Sequence, residues 1–278
     1  MNYLLAKKKI EEFLLEDLSF GDASEFFFES EKVSGSLIAK KSGIVCGQSI
    51  PHIICDILRG MEYQDIIPEG QKVKAGTVIG RINGAAKNVL ASERVILNLM
   101  QRMSGIATAA NTAVQRLGDS AISITDTRKT APGLRYFDKY AVKIGGGQNH
   151  RFDLCAGLML KDNHLAAKGG IKKALSLVAK NIGPMTKVEV EIETKEQLAV
   201  AVKSTVDAIM FDNQEPKVIK EWMQEVPAHI TTEASGGINL ENIARYKGCG
   251  VDFISLGCLT NEVKPLDISF VLDGVIKS

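Results

Sequence analysis

The sequence predicts an α/β protein in which an N-terminal α/β sandwich domain precedes a C-terminal α/β barrel. Three observations predict this fold class. The first 110 residues combine helical runs with short β segments that are cut by glycines. From residue 121 onward, strand-like and helical runs alternate. The composition, with 45% hydrophobic and 24% charged residues, is that of an ordinary globular protein.

Residues 1–110 are expected to form the first domain, including a connecting helix. Residues 1–18 carry apolar side chains at helical spacing and predict an amphipathic helix. Residues 31–85 contain short β-rich segments between glycines, which is typical of a small sandwich with tight turns. A second helix is predicted from Ser92, as its N-cap, to about Ala110. This helix would join the two domains.

Residues 111–265 are expected to form the barrel that carries the active site. The strand-like runs in this region are AISIT, AVKIGGG, LMLKDNH, KVEVEIE, AIMFDN, HITTEAS and DFISLG. Helical runs separate most of the later ones, so the pattern predicts a parallel sheet. With about seven such units, closure into a barrel is favoured over an open sheet. Residues 266–278 form a C-terminal segment that is expected to return to the N-terminal domain.

Charge and cysteine content limit the function classes. The formal net charge is +1, so no global field attracts nucleic acid or a membrane, and neither is expected as a partner. The N-terminus lacks the apolar core of a signal peptide, and no run approaches the roughly 18 apolar residues that a membrane span needs. Five scattered cysteines without a C-x-x-C motif favour reduced thiols and a cytoplasmic location.

The chemistry is expected where the predicted strands end. In α/β barrels the reacting groups come from the C-terminal ends of different strands. Here those ends carry an unusual set of cations, carboxylates and glycines, namely Asp126, Arg128, Lys129, Gly145–Gly147, His150, Arg151, Lys161, His164, Glu191, Asp212, Glu233, Ser235, Gly236, Gly237 and Gly257. Each has an ordinary structural explanation, but together they predict one cavity with about five cations and several backbone amides.

The segment KVEVEIE is the sharpest local signal. Its alternation places Val188, Val190 and Ile192 on one face and three glutamates on the other. Since the outer face of a barrel packs on helices, the glutamates are expected to point inward. Buried carboxylates need a partner. Glu191 and Asp212, on neighbouring strands and offering only oxygen, suit Mg²⁺ as a cofactor. An edge strand with solvated glutamates is the alternative.

Arg94 is a candidate for a different reason. If the connecting helix begins at Ser92, Arg94 lies in its first turn, where a cation opposes the helix dipole. A residue placed against local preference is a candidate site residue. The known phosphate motifs, by contrast, are absent from the sequence. The residues alone therefore predict a Mg²⁺-dependent enzyme that acts on a polyanionic small molecule.

Several motifs, in order, closely resemble those of the quinolinate phosphoribosyltransferase family, the carboxylating nicotinate-nucleotide pyrophosphorylases. They run through nearly the whole chain and include EDLSFGD, SERVILNLMQRMSGIAT, DTRKTAPGLRYFDKYAVKIGGGQNHR, LKDNH, VEVEIET, FDN, EASGGI and VDFISLG. The resemblance implies the two-domain fold given above and a homodimer with shared active sites. It also implies Mg²⁺-dependent transfer of phosphoribosyl from phosphoribosyl pyrophosphate to quinolinate, with decarboxylation, in NAD biosynthesis.

Site residues are carried over by motif. The lining for quinolinate and phosphates would comprise Thr127, Arg128, Lys129, His150, Arg151 and Lys161. Arg94 would extend into the site from the partner subunit. Glu191 and Asp212 would bind Mg²⁺ and contact the ribose. Ser235, Gly236, Gly237, Leu256, Gly257 and Cys258 would bind the ribosyl phosphate, the glycine-rich segments through backbone amides. The catalytic set would be Lys129, Lys161, Glu191 and Asp212.

The sequence departs from the family pattern at Ala23-Ser24, where the family usually has Ile-Thr-Thr after Gly-Asp, and this leaves the role of that loop open. Three alternatives also stay open. The first is a molybdate-operon paralogue of the same fold with another substrate. The second is a Schiff-base aldolase that uses Lys161, and the third is a non-catalytic phosphate-binding protein.

Overall fold

The computed structural model describes residues 1–276, and by its contacts the chain forms two compact units. Unit 1 comprises Met1–Asn111, Thr130–Gly146 and the residues from Glu262 onward. Unit 2 comprises Thr112–Lys129 and Gly147–Asn261. Both units are therefore assembled from segments that are separate in the sequence.

The elements of the first half of the chain are a mixture of helices and mostly short strands. In chain order they are α1 (Tyr3–Asp17), a 3₁₀ turn (Glu25–Phe27), β1 (Lys32–Ala39), β2 (Gly43–Ile44), α2 (Ser49–Leu58), β3 (Met61–Asp65), β4 (Lys72–Val73), β5 (Val78–Ala85) and α3 (Ala86–Leu117).

The elements of the second half alternate between strand and helix. They are β6 (Ser123–Thr125), α4 (Arg135–Ile144), β7 (Leu158–Leu160), α5 (Asp162–Ala167), α6 (Ile171–Asn181), β8 (Val188–Ile192), α7 (Lys195–Ala201), β9 (Ala208–Asp212), α8 (Pro216–Trp222), a 3₁₀ turn (Met223–Glu225), β10 (Thr231–Ser235), a 3₁₀ turn (Ile243–Tyr246), β11 (Phe253–Ser255), α9 (Cys258–Asn261) and β12 (Ile268–Ile276).

Unit 1 is built on an antiparallel sheet with the strand order β12-β1-β5-β3. The C-terminal strand β12 pairs with β1 over its whole length, from Ala39 opposite Ile268 to Lys32 opposite Ile276. The predicted C-terminal segment, residues 266–278, thus supplies an edge strand to this sheet, and its last two residues lie outside the described part of the chain. Helix α1 buries Ala6, Ile10 and Leu14.

The connecting helix α3 begins earlier than predicted. It begins at Ala86, so Ser92 is an interior helical residue whose hydroxyl donates to the carbonyl oxygen of Val89 at 3.1 Å. The interpretation of Ser92 as an N-cap is therefore wrong, and Arg94 does not lie in a first turn. The argument that the Arg94 cation opposes the helix dipole is therefore wrong as well. The sequence before Ser92, AKNVLA, contains no helix breaker, and this allows the helix to extend toward Ala86.

Unit 2 contains the parallel sheet of the α/β barrel, in the order β6-β11-β10-β9-β8-β7. Val188, Val190 and Ile192 of β8 are at most 3% exposed, as the alternation predicts. The described sheet has six strands rather than about seven, because the run AVKIGGG is not a strand. It ends helix α4, in which Phe137, Ala141 and Val142 are buried at helical spacing. None of the described helices is long and apolar enough to cross a membrane.

Candidate active site

A cavity of about 450 Å³ opens at the C-terminal ends of the unit 2 strands. This is the rim where α/β barrels carry their reacting groups. All residues that line it belong to unit 2: Thr127, Arg128, Lys129, His150, Arg151, Met159, Lys161, Glu191, Met210, Asp212, Asn213, Glu233, Ser235, Gly236, Gly237 and Ser255.

The segment after β6 presents its cations through local hydrogen bonds. The backbone N–H of Lys129 donates to the hydroxyl of Thr127 at 3.0 Å, and the hydroxyl of Thr260 donates to the Lys129 carbonyl at 2.8 Å. The Lys129 side chain passes over Gly257, where an added Cβ would lie 3.1 Å from its Cδ. A glycine at this position therefore leaves room for the lysine.

Asp126 ties the β6 end to the segment that carries His150. This carboxylate is fully buried. It accepts the side-chain amide of Asn149 at 2.6 Å and the backbone N–H of His150 at 3.0 Å. A buried carboxylate is stable only when it is hydrogen-bonded in this way. The two bonds fix where His150 enters the cavity.

Two guanidinium groups, Arg128 and Arg151, lie close enough to repel each other. Burial first, and then the charge of Arg128, lowers the pKa of Arg151. Arg151 donates to the carbonyl oxygen of Gly157 at 2.9 Å, whereas the buried Nε of Arg128 has no hydrogen-bond partner among the described residues. An anion between them would relieve both the repulsion and the unpaired donor.

The same cavity holds one lysine and two carboxylates at the ends of β7, β8 and β9, namely Lys161, Glu191 and Asp212. Lys161 Nζ lies 2.9 Å from Glu191 Oε2. Burial raises the pKa of Asp212, as do the charges of Glu191 and Glu193, while the two lysines of the cavity act in the opposite direction. Asn213 donates to Asp212 Oδ2 at 2.6 Å and so holds the orientation of this carboxylate.

The loop after β10 approaches the backbone after β9 closely. Gly236 has a φ of +88°, and an added Cβ would lie 2.3 Å from Asn213 Oδ1 and 2.5 Å from its backbone nitrogen. Only glycine fits this position without a shift. Asn213 itself has a φ of +55°, a left-handed conformation that asparagine tolerates better than most residues.

The structure gathers most of the predicted residues and separates a few. Eleven of them line the cavity, namely Thr127, Arg128, Lys129, His150, Arg151, Lys161, Glu191, Asp212, Ser235, Gly236 and Gly237. Arg94 belongs to unit 1 and lines a different cavity there, with a side chain that is 63% exposed. Leu256 is buried, and its amide donates to the carbonyl oxygen of Thr125, so it does not present a free N–H. Gly257 and Cys258 are not among the lining residues either.

Five lining residues are absent from the set carried over by motif, although Glu233 is among the strand-end residues that were predicted to meet at one cavity. Glu233 and Ser255 stand at predicted strand ends, so their position was a usable signal. Asn213 follows Asp212 in the quoted motif FDN. Met159 and Met210 are nearly buried strand residues that form apolar surface, and in the sequence they cannot be told from ordinary core methionines.

Fold and cavity together define a class: an α/β-barrel enzyme whose active site is built for a small molecule with several negative charges. The family models give the narrower assignment. Residues 17–104 match the N-terminal domain of quinolinate phosphoribosyl transferase, and residues 106–271 match its C-terminal domain. The chain belongs to the quinolinate phosphoribosyltransferase family.

Individual relatives agree with this assignment. The chain is 47% identical over 272 residues to a probable carboxylating nicotinate-nucleotide pyrophosphorylase of Bacillus subtilis, covering 97% of this chain and 94% of the relative. It is 39% identical to a mitochondrial decarboxylating quinolinate phosphoribosyltransferase of Nicotiana glauca, covering 85% and 72%. The crystal structure of NadC from Streptococcus pyogenes aligns with a TM-score of 0.92 at 33% identity, covering 99% of this chain and 98% of that one.

Proposed function

We propose that this protein transfers phosphoribosyl from phosphoribosyl pyrophosphate to quinolinate in a Mg²⁺-dependent reaction with loss of CO₂. The products are nicotinate mononucleotide and pyrophosphate, and the pathway is NAD biosynthesis. The observation that carries the proposal is the cavity's charge pattern, in which Arg128 and Arg151 repel each other on one side while Glu191 and Asp212 stand on another. Family membership supplies the identity of the substrates.

The arginine pair is the binding site for the two adjacent carboxylates of quinolinate. Guanidinium groups bind carboxylates through paired N–H donors, and the unpartnered Nε of Arg128 supplies one such donor. Lys129, exposed beside them, adds a third cation. A substrate with one carboxylate would leave part of this cationic surface unpaired, which disfavours its binding.

Glu191 and Asp212 face the ribose. When pyrophosphate leaves, positive charge builds on the ribose ring, and carboxylates fixed beside it stabilise that charge. Lys161, paired with Glu191, keeps this carboxylate in place and offers a donor to the leaving group. The loop with Ser235, Gly236 and Gly237 offers backbone donors to the ribosyl phosphate.

The residues present fit a magnesium ion. Glu191 and Asp212 supply only oxygen, the donor that Mg²⁺ prefers. Burial first, and then the charges of Glu191 and Glu193, raises the pKa of Asp212, and a cation there would offset both effects. These two residues would hold the ion. When bound, Mg²⁺ would supply positive charge for the pyrophosphate oxygens.

A homodimer is the proposed assembly, with Arg94 of each subunit serving the cavity of the other. Two observations in unit 1 support it. Arg94 is mostly exposed, and among the described residues its ion pair is a distant one, 3.9 Å, with Glu93. Large apolar side chains are also exposed, including Leu4, Leu15, Phe20, Phe26 and Phe27. A cytoplasmic location is proposed as well, and it is supported by five free cysteines.

Product analysis tests this function. The purified protein is incubated with quinolinate, phosphoribosyl pyrophosphate and Mg²⁺, and each component is omitted in turn. We expect nicotinate mononucleotide and pyrophosphate in equal amounts, only in the complete mixture. A different pyridine product would favour the paralogue, and ligand binding without turnover would favour a binding protein. Borohydride trapping of a carbonyl compound on Lys161 would favour the aldolase, although this lysine is held in an ion pair.

A further inference from the structure

Three titratable groups meet inside the unit 2 barrel, and of these only His150 has been given a binding role above. His150 Nε2 lies 3.1 Å from Glu189 Oε2 and 3.4 Å from Glu233 Oε2. The side chains are 15%, 12% and 6% exposed, respectively. Oε1 of Glu233 is buried and has no hydrogen-bond partner among the described residues. We call these three residues the acid cluster.

The acid cluster is accessible from two cavities. His150 and Glu233 line the proposed active site. They also line a second cavity, together with Glu189 and with residues at the opposite ends of the strands, such as Lys187, Asp207 and Thr231. One side of the cluster therefore faces the substrate, and the other faces an opening through which water can arrive.

The burial and charges of the acid cluster favour retention of a proton within it. Burial raises the pKa of Glu233, and the charge of Glu189 adds to the rise, although the contact with His150 opposes it. Burial lowers the pKa of His150, but the hydrogen bonds and charges of Glu189 and Glu233 outweigh this, so the electrostatics of the cluster favour one further proton. The backbone N–H of Arg151 donates to His150 Nδ1 at 2.7 Å and disfavours a second ring proton there. We therefore place the additional proton on the Glu233 carboxyl.

The same three ligand atoms lie within 4.8 Å of one another, so a metal ion is the competing occupant. A metal on Nε2 requires the ring hydrogen to be on Nδ1, because a neutral imidazole carries one hydrogen. That hydrogen would point at the backbone N–H of Arg151, which donates to Nδ1 in the structure, so two donors would face each other. The geometry favours a proton over a metal in this cluster.

We propose that Glu233 is the acid that protonates the pyridine ring after CO₂ leaves. This inference rests on the proposed function. The bond between the ring carbon and its carboxylate breaks, CO₂ departs, and the electron pair stays on the ring carbon next to the ribosylated nitrogen. That carbon takes the carboxyl proton of Glu233 and forms a C–H bond. Glu233 is left as a carboxylate, which water from the second cavity reprotonates. His150 and Glu189 act as positioning residues.

A single-turnover experiment separates this step from ribosyl transfer. Enzyme in excess is mixed with quinolinate, phosphoribosyl pyrophosphate and Mg²⁺, and pyrophosphate and nicotinate mononucleotide are measured in the same quenched samples. In Glu233→Gln, pyrophosphate is expected to form at about the normal rate, and the mononucleotide about a hundredfold more slowly, as for loss of a general acid. The carboxylated mononucleotide should accumulate, because the unprotonated carbon recaptures CO₂.

Two further variants sharpen the result. Glu233→Asp keeps a carboxylic acid and should show the same delay by a smaller factor. If circular dichroism shows that Glu233→Gln does not fold, the result with Glu233→Asp decides. A delay of the mononucleotide behind pyrophosphate then supports the inference, and the absence of that delay contradicts it. Glu225→Gln removes an exposed carboxylate of the same unit, one that pairs with Lys195, and should leave both time courses unchanged.

The outcomes are distinct. If both products slow equally in Glu233→Gln, or neither slows, the inference is wrong and the proposed function stands. If the unaltered protein makes no pyrophosphate from these substrates, the proposed function itself is wrong. Stoichiometric metal that stays in the unaltered protein, but not in Glu233→Gln, after dialysis would assign the cluster to a metal and overturn the proton-donor role.

Discussion

Replacing Asp126 by Asn tests whether the cavity depends on one buried carboxylate. Asp126 accepts hydrogen bonds from the Asn149 amide at 2.6 Å and from the His150 N–H at 3.0 Å. Asparagine keeps one acceptor oxygen and carries an NH₂ group in place of the other. One of these bonds is therefore lost, because the NH₂ group faces the donor that the carboxylate oxygen accepted. A hydrogen bond to a charged group contributes about 1.5–3 kcal/mol, and we expect the free energy of unfolding to fall by about 2–3 kcal/mol. Because His150 is displaced, kcat/KM should fall about a hundredfold.

Asp153 provides the matched control. Its carboxylate also accepts two hydrogen bonds, both from backbone N–H groups, of Cys155 at 2.9 Å and Ala156 at 3.0 Å, but it is exposed. Water replaces such bonds, so Asp153→Asn should change the free energy of unfolding by less than about 0.5 kcal/mol. Urea unfolding and steady-state kinetics measure both variants. Equal and small effects at the two positions would refute the role given to Asp126.

Three other predictions concern ligands and assembly. Quinolinate should be preferred over nicotinate by at least about a hundredfold in kcat/KM, since loss of a carboxylate leaves Arg128 or Arg151 unpaired, and equal turnover would contradict this. Asp212→Asn should raise the Mg²⁺ concentration needed for half-maximal activity about tenfold, while the quinolinate affinity measured by calorimetry changes little. Weaker quinolinate binding with an unchanged Mg²⁺ requirement would contradict the role given to Asp212. Arg94→Ala and Lys129→Ala should each be nearly inactive, yet refolding them together should restore roughly a quarter of the sites if Arg94 serves the partner. No recovery in a mixture shown to contain hybrids would place Arg94 in its own chain's site.

The sequence predicted those features that follow from local pattern. The alternation in KVEVEIE placed Glu189 and Glu191 inward, and in the structure they contact His150 and Lys161. The βα alternation predicted a parallel sheet, and most of the polar residues at strand ends meet at one cavity. These results depend on a period of two in a strand and on the common direction of parallel strands.

Other features depend on tertiary contacts that no local pattern reveals. The run AVKIGGG contains β-branched residues, but burial of Phe137 and Ala141 on one helical face makes it the end of α4. The polar residues around Ser92 looked like a helix start, although Ser92 is buried inside α3. Glu189 of β8 and Glu233 of β10 contact the same histidine although β9 lies between their strands, so the acid cluster could not be predicted from the sequence.

Release of ¹⁴CO₂ tests the central claim most directly. Quinolinate labelled in the carboxylate next to the ring nitrogen is incubated with the protein and Mg²⁺, with and without phosphoribosyl pyrophosphate. Transfer to the nitrogen must come before decarboxylation, because the ribosylated nitrogen accepts the electrons that CO₂ leaves behind. We predict ¹⁴CO₂ release that requires phosphoribosyl pyrophosphate and equals the pyrophosphate formed. Release without phosphoribosyl pyrophosphate, or pyrophosphate formed without any release of label, would contradict the account.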